Sequence, residues 1–375
     1  MSHIFIYDAN YRDIQTTVDT IFTQLEVDLQ GRRVFIKPNA VHEMEPELAA
    51  NTHPSLLAAV IRAVEDAGAA DIRVGDNPGI QNYGRIPQLF RANGLGAVTG
   101  DYLENIGRGL IPKRIPSLGA TDLYFPKIIF EADYIINLPK LKTHPNTGIT
   151  SAIKNCFGYL AGGQKAYCHQ ISKDRRHFEH MLADIYHLRP PDLTLVDAIL
   201  IPEGGGRSSK TLRYLGKVLA SHSGVAVDVL GSSMLGLEPC SIYHLVAAAA
   251  SEPVSVDVQA LEIIGRWDVT EGFHLPRGFN PGESPVTTVS RPGLLEAATS
   301  KKLMVNNDRC TKCGECISEC PTAALYFEDE ILHMTQAQCV ACFACMEACS
   351  QEALRLESLC PENKAASSTP TAKTR

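Results

Sequence analysis

The sequence predicts an α/β fold with a largely parallel sheet and helices on both faces, followed by a small C-terminal α+β unit organised by cysteines. Three observations predict it. Over the first three hundred residues, short runs rich in Val, Ile, Phe and Tyr alternate with stretches of helical periodicity, the pattern of strands joined by crossover helices. Polar residues fall where the apolar runs end, and in such sheets ligands gather beyond the carboxyl ends of the strands. Finally, eight of the twelve cysteines fall near the C terminus in two copies of one spacing.

Taken in order, strands are expected over 4–7, 33–37, 71–75, 134–138, 193–196 and 218–221, and helices over 55–68, 147–160, 176–188 and 226–236. The clearest helix follows His53: Pro54 sits at its start, apolar residues recur at helical spacing and Gly68 closes it. The strand ends carry the chemistry. The second strand runs into Lys37-Pro-Asn39, the third into Asp76, and the fourth into Asn137-Leu-Pro-Lys140, Lys142 and His144. The helix expected from Thr147 then brings Lys154 and Asn155 to the same region. Three lysines, a histidine and a helix N-terminus within eighteen residues describe an anion site. The plainer alternative leaves Lys140 and Lys142 solvated while Asn137 and Asn155 stitch loops together.

Other polar runs carry less. Pro202-Glu-Gly-Gly-Gly-Arg207 lacks the Gly-Lys-Ser/Thr ending of a phosphate loop and reads as a flexible turn. The basic run over 167–180 is either a lid or an exposed loop with the first turns of a helix. Cys156, Cys168 and Cys240 have no metal-ligand spacing and read as buried thiols.

Composition narrows the class. A net charge of −7 argues against a general nucleic-acid binder, and no apolar run reaches the length of a membrane span. The N terminus reads as a strand without a signal peptide's basic region, so a reducing cytoplasm is expected. Between residues 305 and 360 nine acidic residues face Arg309, Lys312 and Arg355. That lobe is either a docking surface for a basic redox partner protein or simply a solvated surface. The stretch 361–375 has no hydrophobic periodicity and is expected to be disordered.

Cys310, Cys313, Cys316 and Cys320 are spaced C-x2-C-x2-C-x3-C with Pro321 following, and Cys339, Cys342, Cys345 and Cys349 repeat the spacing with Ser350 in the proline position. A disulfide framework is disfavoured in a long chain without a leader, and zinc calls for C-x2-C pairs with a longer insert. The run resembles bacterial two-cluster ferredoxins over about residues 301–360. In those, the fourth cysteine of each run ligates the other [4Fe–4S] cluster. The resemblance therefore implies one cluster on Cys310, Cys313, Cys316 and Cys349, and a second on Cys339, Cys342, Cys345 and Cys320.

The segments Val34-Phe-Ile-Lys-Pro-Asn39, Thr52-His-Pro54, Val74-Gly-Asp76, 132–144 and Ala152-Ile-Lys-Asn-Cys-Phe-Gly158 together resemble the domain-of-unknown-function family numbered 362, which is often fused to a two-cluster ferredoxin. The likeness covers about residues 34–239. It implies no reaction, but it marks Lys37, Asn39, His53, Asp76, Asn137, Lys140, Lys142, His144 and Lys154 as the place to look. Three units are expected: an α/β domain over 1–300, a ferredoxin domain over 301–360 and the tail.

Two functions stay open. The α/β domain binds a small anionic substrate and the clusters feed it single electrons, making the chain an iron–sulfur oxidoreductase. His144 or Asp76 would then donate a proton while Lys37, Asn39, His53, Asn137, Lys140, Lys142 and Lys154 hold the anion. Alternatively, the chain is an electron carrier whose large domain docks on a partner oxidoreductase. No flavin or nicotinamide fingerprint is visible. Anaerobically purified protein is predicted to carry about eight iron and eight sulfide per chain. Cys320→Ser and Cys349→Ser should each damage the cluster held mostly by the opposite repeat. Four iron or fewer after reconstitution would refute the ligand assignment.

Overall fold

The structure, a computed structural model, describes residues 3–79, 82–204, 211–275 and 301–358. Its main sheet contains β1 (Ile4–Asp8), β2 (Arg33–Pro38), β3 (Asp71–Val74), β6 (Tyr134–Leu138), β9 (Leu193–Pro202), β10 (Leu212–Ser221) and β11 (Ile263–Ile264). Two hairpins stand beside it, β4 (Leu110–Arg114) with β5 (Asp122–Pro126) and β7 (Lys142–His144) with β8 (Gly148–Thr150). In the C-terminal lobe β12 (Lys301–Val305) pairs with β15 (Leu354–Ser358), and β13 (Leu325–Glu328) with β14 (Ile331–Met334). The strand order of the main sheet is β11-β1-β10-β9-β6-β2-β3.

The β9-β6-β2-β3 half is parallel, and β10 is antiparallel to both of its neighbours. Strands covered on both faces must be apolar throughout, and Val34, Phe35 and Ile36 of β2 and Ile135 and Ile136 of β6 are all buried. One face is covered by the helices Ile14–Gln24 and Pro54–Asp66, the other by Ala152–Asn155, Arg175–Leu188, Gly224–Met234 and Tyr243–Ala249. The first of these was not among the expected helices. Its Ile14, Val18, Ile21 and Phe22 are buried at helical spacing, but three threonines between them and a fourth just after mask the propensity. The expected strands at 193–196 and 218–221 are the ends of two ten-residue strands. Asp197, Arg213 and Lys217 interrupt their apolar pattern, and a register shift falls between Tyr214 and Lys217.

One expected helix is wrong. Residues 147–160 form β8, a four-residue helix Ala152–Asn155 and a 3-10 turn Cys156–Tyr159. Gly148 takes φ +73°, and β-branched Thr147, Ile149 and Thr150 favour extended backbone. The run over 167–180 is packed rather than loose: it lies in the helices Gln164–Ile171 and Arg175–Leu188, with Cys168, Arg175 and Glu179 buried. Cys156 is buried as expected, but Cys240 is exposed.

The C-terminal lobe closes around Leu303, Leu325, Leu332 and Leu354. Ile331 is 46% exposed because the strand turns its neighbour Leu332 inward. The sequence repeat is also a backbone repeat. Positive φ recurs at Lys312 and Ala341, at Gly314 and Phe343, and at Ala323 and Glu352, each pair offset like Cys310 and Cys339. The last residues of the expected α/β domain, 276–300, and the expected tail lie outside the described residues. Among the described residues, no helix is long and apolar enough to cross a membrane.

The lobe is joined to the α/β domain by a polar and apolar seam. Glu347 accepts the Ile86 N–H at 3.2 Å and the Asn105 amide at 3.0 Å. Glu319 accepts from Arg108 at 3.0 Å and from the Gly109 N–H at 2.8 Å. Gly163 N–H donates to the Ala341 carbonyl at 2.9 Å, and the Gln164 amide to the Val340 carbonyl at 2.5 Å. Two of the acidic residues expected on a solvent-facing docking surface are thus turned inward. Truncating Glu347 to alanine is predicted to leave its donors unsatisfied and weaken lobe docking by about 1–3 kcal/mol. Hydrogen exchange at the Ile86 and Gly163 amides should speed up while β6 stays protected. Unchanged protection at both would count against this seam.

Candidate functional site

Two cavities in the lobe are each ringed by four thiols. Cys310, Cys313, Cys316 and Cys349 line the first with Phe327, Leu332 and Leu354. Cys320, Cys339, Cys342 and Cys345 line the second with Leu303, Leu325, Met334 and Phe343. The sets are those implied by the exchanged fourth cysteine. Among the described residues no three His, Cys, Asp or Glu side chains converge on a single metal ion. Thiols spread around an apolar cavity instead suit an iron–sulfur cluster. The exchanged cysteines are oriented alike: Ala324 N–H donates to Cys320 Sγ and Ala353 N–H to Cys349 Sγ, both at 3.2 Å. Burial, reinforced by neighbouring thiols, pushes Cys316 up to about 11. Burial likewise pushes Cys342 up to about 12. Iron binding must therefore displace protons there.

The strand ends of the α/β domain carry a buried polar network in three connected parts. In the first, Lys37 Nζ donates to Asp76 Oδ1 at 2.6 Å with both side chains buried, and Asp76 Oδ2 accepts the Ala40 N–H at 2.7 Å. Gly158 lies against this pair; a Cβ there would sit 2.1 Å from Asp76 Oδ1, so only glycine fits. The second part is a chain of amides. Lys142 Nζ donates to Asn39 Oδ1 and the Ala50 carbonyl, both at 2.7 Å. Asn39 donates to Asn155 Oδ1 at 2.9 Å, Asn155 to Asn137 Oδ1 at 2.8 Å, and Asn137 to the Ala152 carbonyl at 3.2 Å.

The third part centres on Asp197. It accepts from Lys140 Nζ at 3.0 Å, the Tyr11 hydroxyl at 2.9 Å and the His53 N–H at 3.0 Å. The His53 ring stacks on Tyr11 at 3.6 Å and caps the helix Pro54–Asp66 through Ser55. Burial lowers the His53 pKa, and burial lowers that of Lys140 despite the opposing Asp197 charge. His144 stands apart in the β7–β8 hairpin, half-buried, with Nδ1 accepting the Asn146 N–H at 3.2 Å. Lys154 is half-buried on the short helix.

The expected helix N-terminus for an anion has another occupant. Asp228, buried on the helix Gly224–Met234, accepts the N–H groups of Ala152 at 2.7 Å and Ile153 at 2.9 Å. Any anion binding would have to come from lysine side chains instead. Sequence reasoning also missed Tyr11, Asp197 and Lys165. Tyr11 lies past the end of β1, so strand-end placement was a usable signal. Asp197 lies inside a strand, where only its position within an apolar run marks it. Lys165 Nζ donates to the Asn77 carbonyl at 2.5 Å and the Pro78 carbonyl at 3.0 Å. Burial lowers its pKa to about 7, opposed by Asp76 and assisted by Lys37 and Lys154.

Comparison with known proteins follows this division of the chain. The sequence model of a domain of unknown function, DUF362, matches residues 34–233, and that of a 4Fe-4S dicluster domain matches residues 302–350. A thylakoid-associated protein of Synechocystis is 31% identical over 244 residues, which is 62% of this chain and 71% of that protein. Among solved structures, a lactate racemase apoprotein from Thermoanaerobacterium thermosaccharolyticum is similar at a TM-score of 0.41 and 11% identity, over 64% of this chain and 58% of that one. A Thermotoga maritima structural-genomics protein is similar at a TM-score of 0.38 and 11% identity, over 58% of this chain and 56% of that one. This chain therefore covers less than two thirds of either solved chain. With one sequence model spanning more than half its length and the other its cysteine-rich end, the chain belongs to the DUF362 family and carries a 4Fe-4S dicluster domain.

Proposed function

We propose that this is an iron–sulfur redox protein in which two [4Fe–4S] clusters pass single electrons between a partner protein and a small anionic ligand at the strand ends of the α/β domain. The observation that carries this reading is the seam. The loop holding the second set of thiols rests on residues 161–164, and the next residue, Lys165, reaches the carbonyls beside Asp76. Gly162 is so close that a Cβ would sit 2.3 Å from the Cys342 carbonyl oxygen. Electrons leaving the second cluster meet the α/β domain at its polar network and not at an arbitrary surface.

Charge supports an anion. Lys37, Lys140, Lys142 and Lys165 converge on this edge, and Asp76 and Asp197 pair with two of them. Lysine side chains of this kind suit a small carboxylate or phosphate. The clusters, when bound, supply one-electron transfer; the lysines bind and orient the anion, and the Lys37–Asp76 pair holds the frame around it. His144, in the β7–β8 hairpin, is the proposed proton donor, and the 2.6 Å pair with Lys37 gives Asp76 a framing role instead. Thiolate clusters call for a reducing compartment such as the cytoplasm.

A second reading is an electron carrier whose α/β domain docks on a partner oxidoreductase. The full burial of Lys37 and Lys140 in ion pairs favours it, since ties of that kind also hold loops. Lys142→Met separates the two. Under the ligand reading, Lys142→Met weakens binding of small carboxylates or inorganic phosphate by roughly ten- to a hundredfold, from the loss of about 1.5–3 kcal/mol. Iron content stays unchanged. A thermal-shift or calorimetric screen in which wild type and Lys142→Met behave identically would favour docking.

A further inference from the structure

The lysines of the strand-end network differ in one respect that bears on proton movement. Lys37 is held by Asp76 at 2.6 Å and Lys140 by Asp197 at 3.0 Å. Either would have to abandon a buried carboxylate to lose its proton, and that is strongly opposed. Lys165 is held by two neutral backbone carbonyls, and among the described residues no carboxylate lies within ion-pair distance of it. Losing a proton there breaks no ion pair. Lys165 also has a singular position. It lies in the first turn of the helix Gln164–Ile171, directly after the residues that bond the 340–341 loop of the second thiol set. From that turn its side chain crosses to the loop after β3, next to Asp76.

We propose that Lys165 is the exchangeable proton carrier of the site, taking up one proton when the second cluster gains one electron and releasing it when that electron moves on. The proposal rests on the functional reading above. The step balances: the oxidised cluster, one electron from a single-electron donor protein, and a neutral Lys165 amine with one solvent proton become a reduced cluster and a Lys165 ammonium. Transfer onward delivers one electron and one proton together. The physical reason is charge compensation. An electron adds negative charge at the seam, and an ammonium one residue beyond Gln164 stabilises it in proportion to their interaction.

The charged surroundings allow Lys165 to change state near neutrality. Asp76 from the β3 end favours its protonated form, while Lys37 from the β2 end and Lys154 from the short helix oppose it. On its own helix His169 is held neutral, because burial lowers its pKa to about 3. Cys168 is held as a thiol by burial, at about 12, and Tyr83 as a phenol. Burial brings Lys165 itself to about 7. One other seam group titrates in the same range: Glu347, pushed by burial to about 7. Wild-type pH dependence alone would therefore not identify Lys165, and the substitutions below are needed.

The test is a redox titration of anaerobically purified full-length holoprotein, followed by EPR, from about pH 6 to about pH 9. Lys165→Met and Lys165→Arg are run beside wild type with iron content checked. In wild type, the midpoint potential of one of the two clusters should fall as pH rises through neutrality. In Lys165→Arg it should stay near the acid-limb value of wild type, because the guanidinium keeps its charge. In Lys165→Met it should lie near the alkaline-limb value, and neither variant should retain the wild-type pH slope. A wild-type potential independent of pH, or the same slope in both variants, overturns the proposal. Detection of only one cluster in fully loaded protein would instead overturn the two-cluster reading on which it rests. If Lys165→Met fails to fold, Lys165→Arg alone decides, since loss of the slope is expected there too.

Discussion

The buried Lys37–Asp76 pair is the tie on which the rest of the arrangement depends. It joins the ends of two parallel strands, β2 and β3, and Asp76 also fixes the turn after β2 through the Ala40 N–H. A charge pair this deep is tolerated only when its remaining hydrogen-bond capacity is satisfied. Satisfying it brings residue 158 into contact, and only glycine fits. Asn77, the next residue, holds the Gly158 carbonyl at 3.1 Å. With Gly158 fixed, the chain that follows reaches the lobe at Gly162, Gly163 and Gln164. One electrostatic tie in the sheet thereby sets where the thiol-bearing loop can rest.

The lobe answers with a residue that departs from its own symmetry. Gly314 and Phe343 occupy equivalent positions in the two repeats, and both have φ above +60° or close to it. That conformation suits glycine and strains a bulky side chain. Phe343 tolerates it while packing its ring on Tyr83 of the α/β domain, with centroids 5.7 Å apart. Among the described residues the first repeat has no such ring contact, and its Cys313 is exposed whereas Cys342 is buried. The two halves are alike as ligand sets and unlike in what they face. The second is closed against residues 161–164 and Tyr83 of the α/β domain.

Much of this was legible in the residues. The thiol sets and their exchange were implied by the resemblance to two-cluster ferredoxins, and the two cavities of the lobe are lined by those same sets. The parallel core strands follow from uninterrupted apolar runs, and Lys37, Asp76, Asn39, Asn137 and Lys142 were marked by lying at or just past where those runs stop. What escaped has physical reasons. The helix expected over 147–160 depended on apolar periodicity that β-branched residues and Gly148 override. The helix N-terminus expected to hold an anion is occupied by Asp228, a residue seventy-six positions away from Ala152. Lys165 sat just before the run over 167–180 and carried no signal of its own, because only the fold brings it to the carbonyls beside Asp76. The inward use of Glu319 and Glu347 likewise depends on the lobe's placement, which local sequence does not encode.

The central claim is that the second cluster lies against the α/β domain at residues 161–165. Paramagnetic broadening in the amide NMR spectrum of the reduced, full-length holoprotein tests it most directly. The account predicts that amide signals of residues 161–165 and 83–86 are broadened or lost. Those of the helix Ile14–Gln24, on the opposite face of the sheet from the helices that follow Ala152, should stay sharp. Sharp signals throughout 161–165 in protein with full iron content would contradict it.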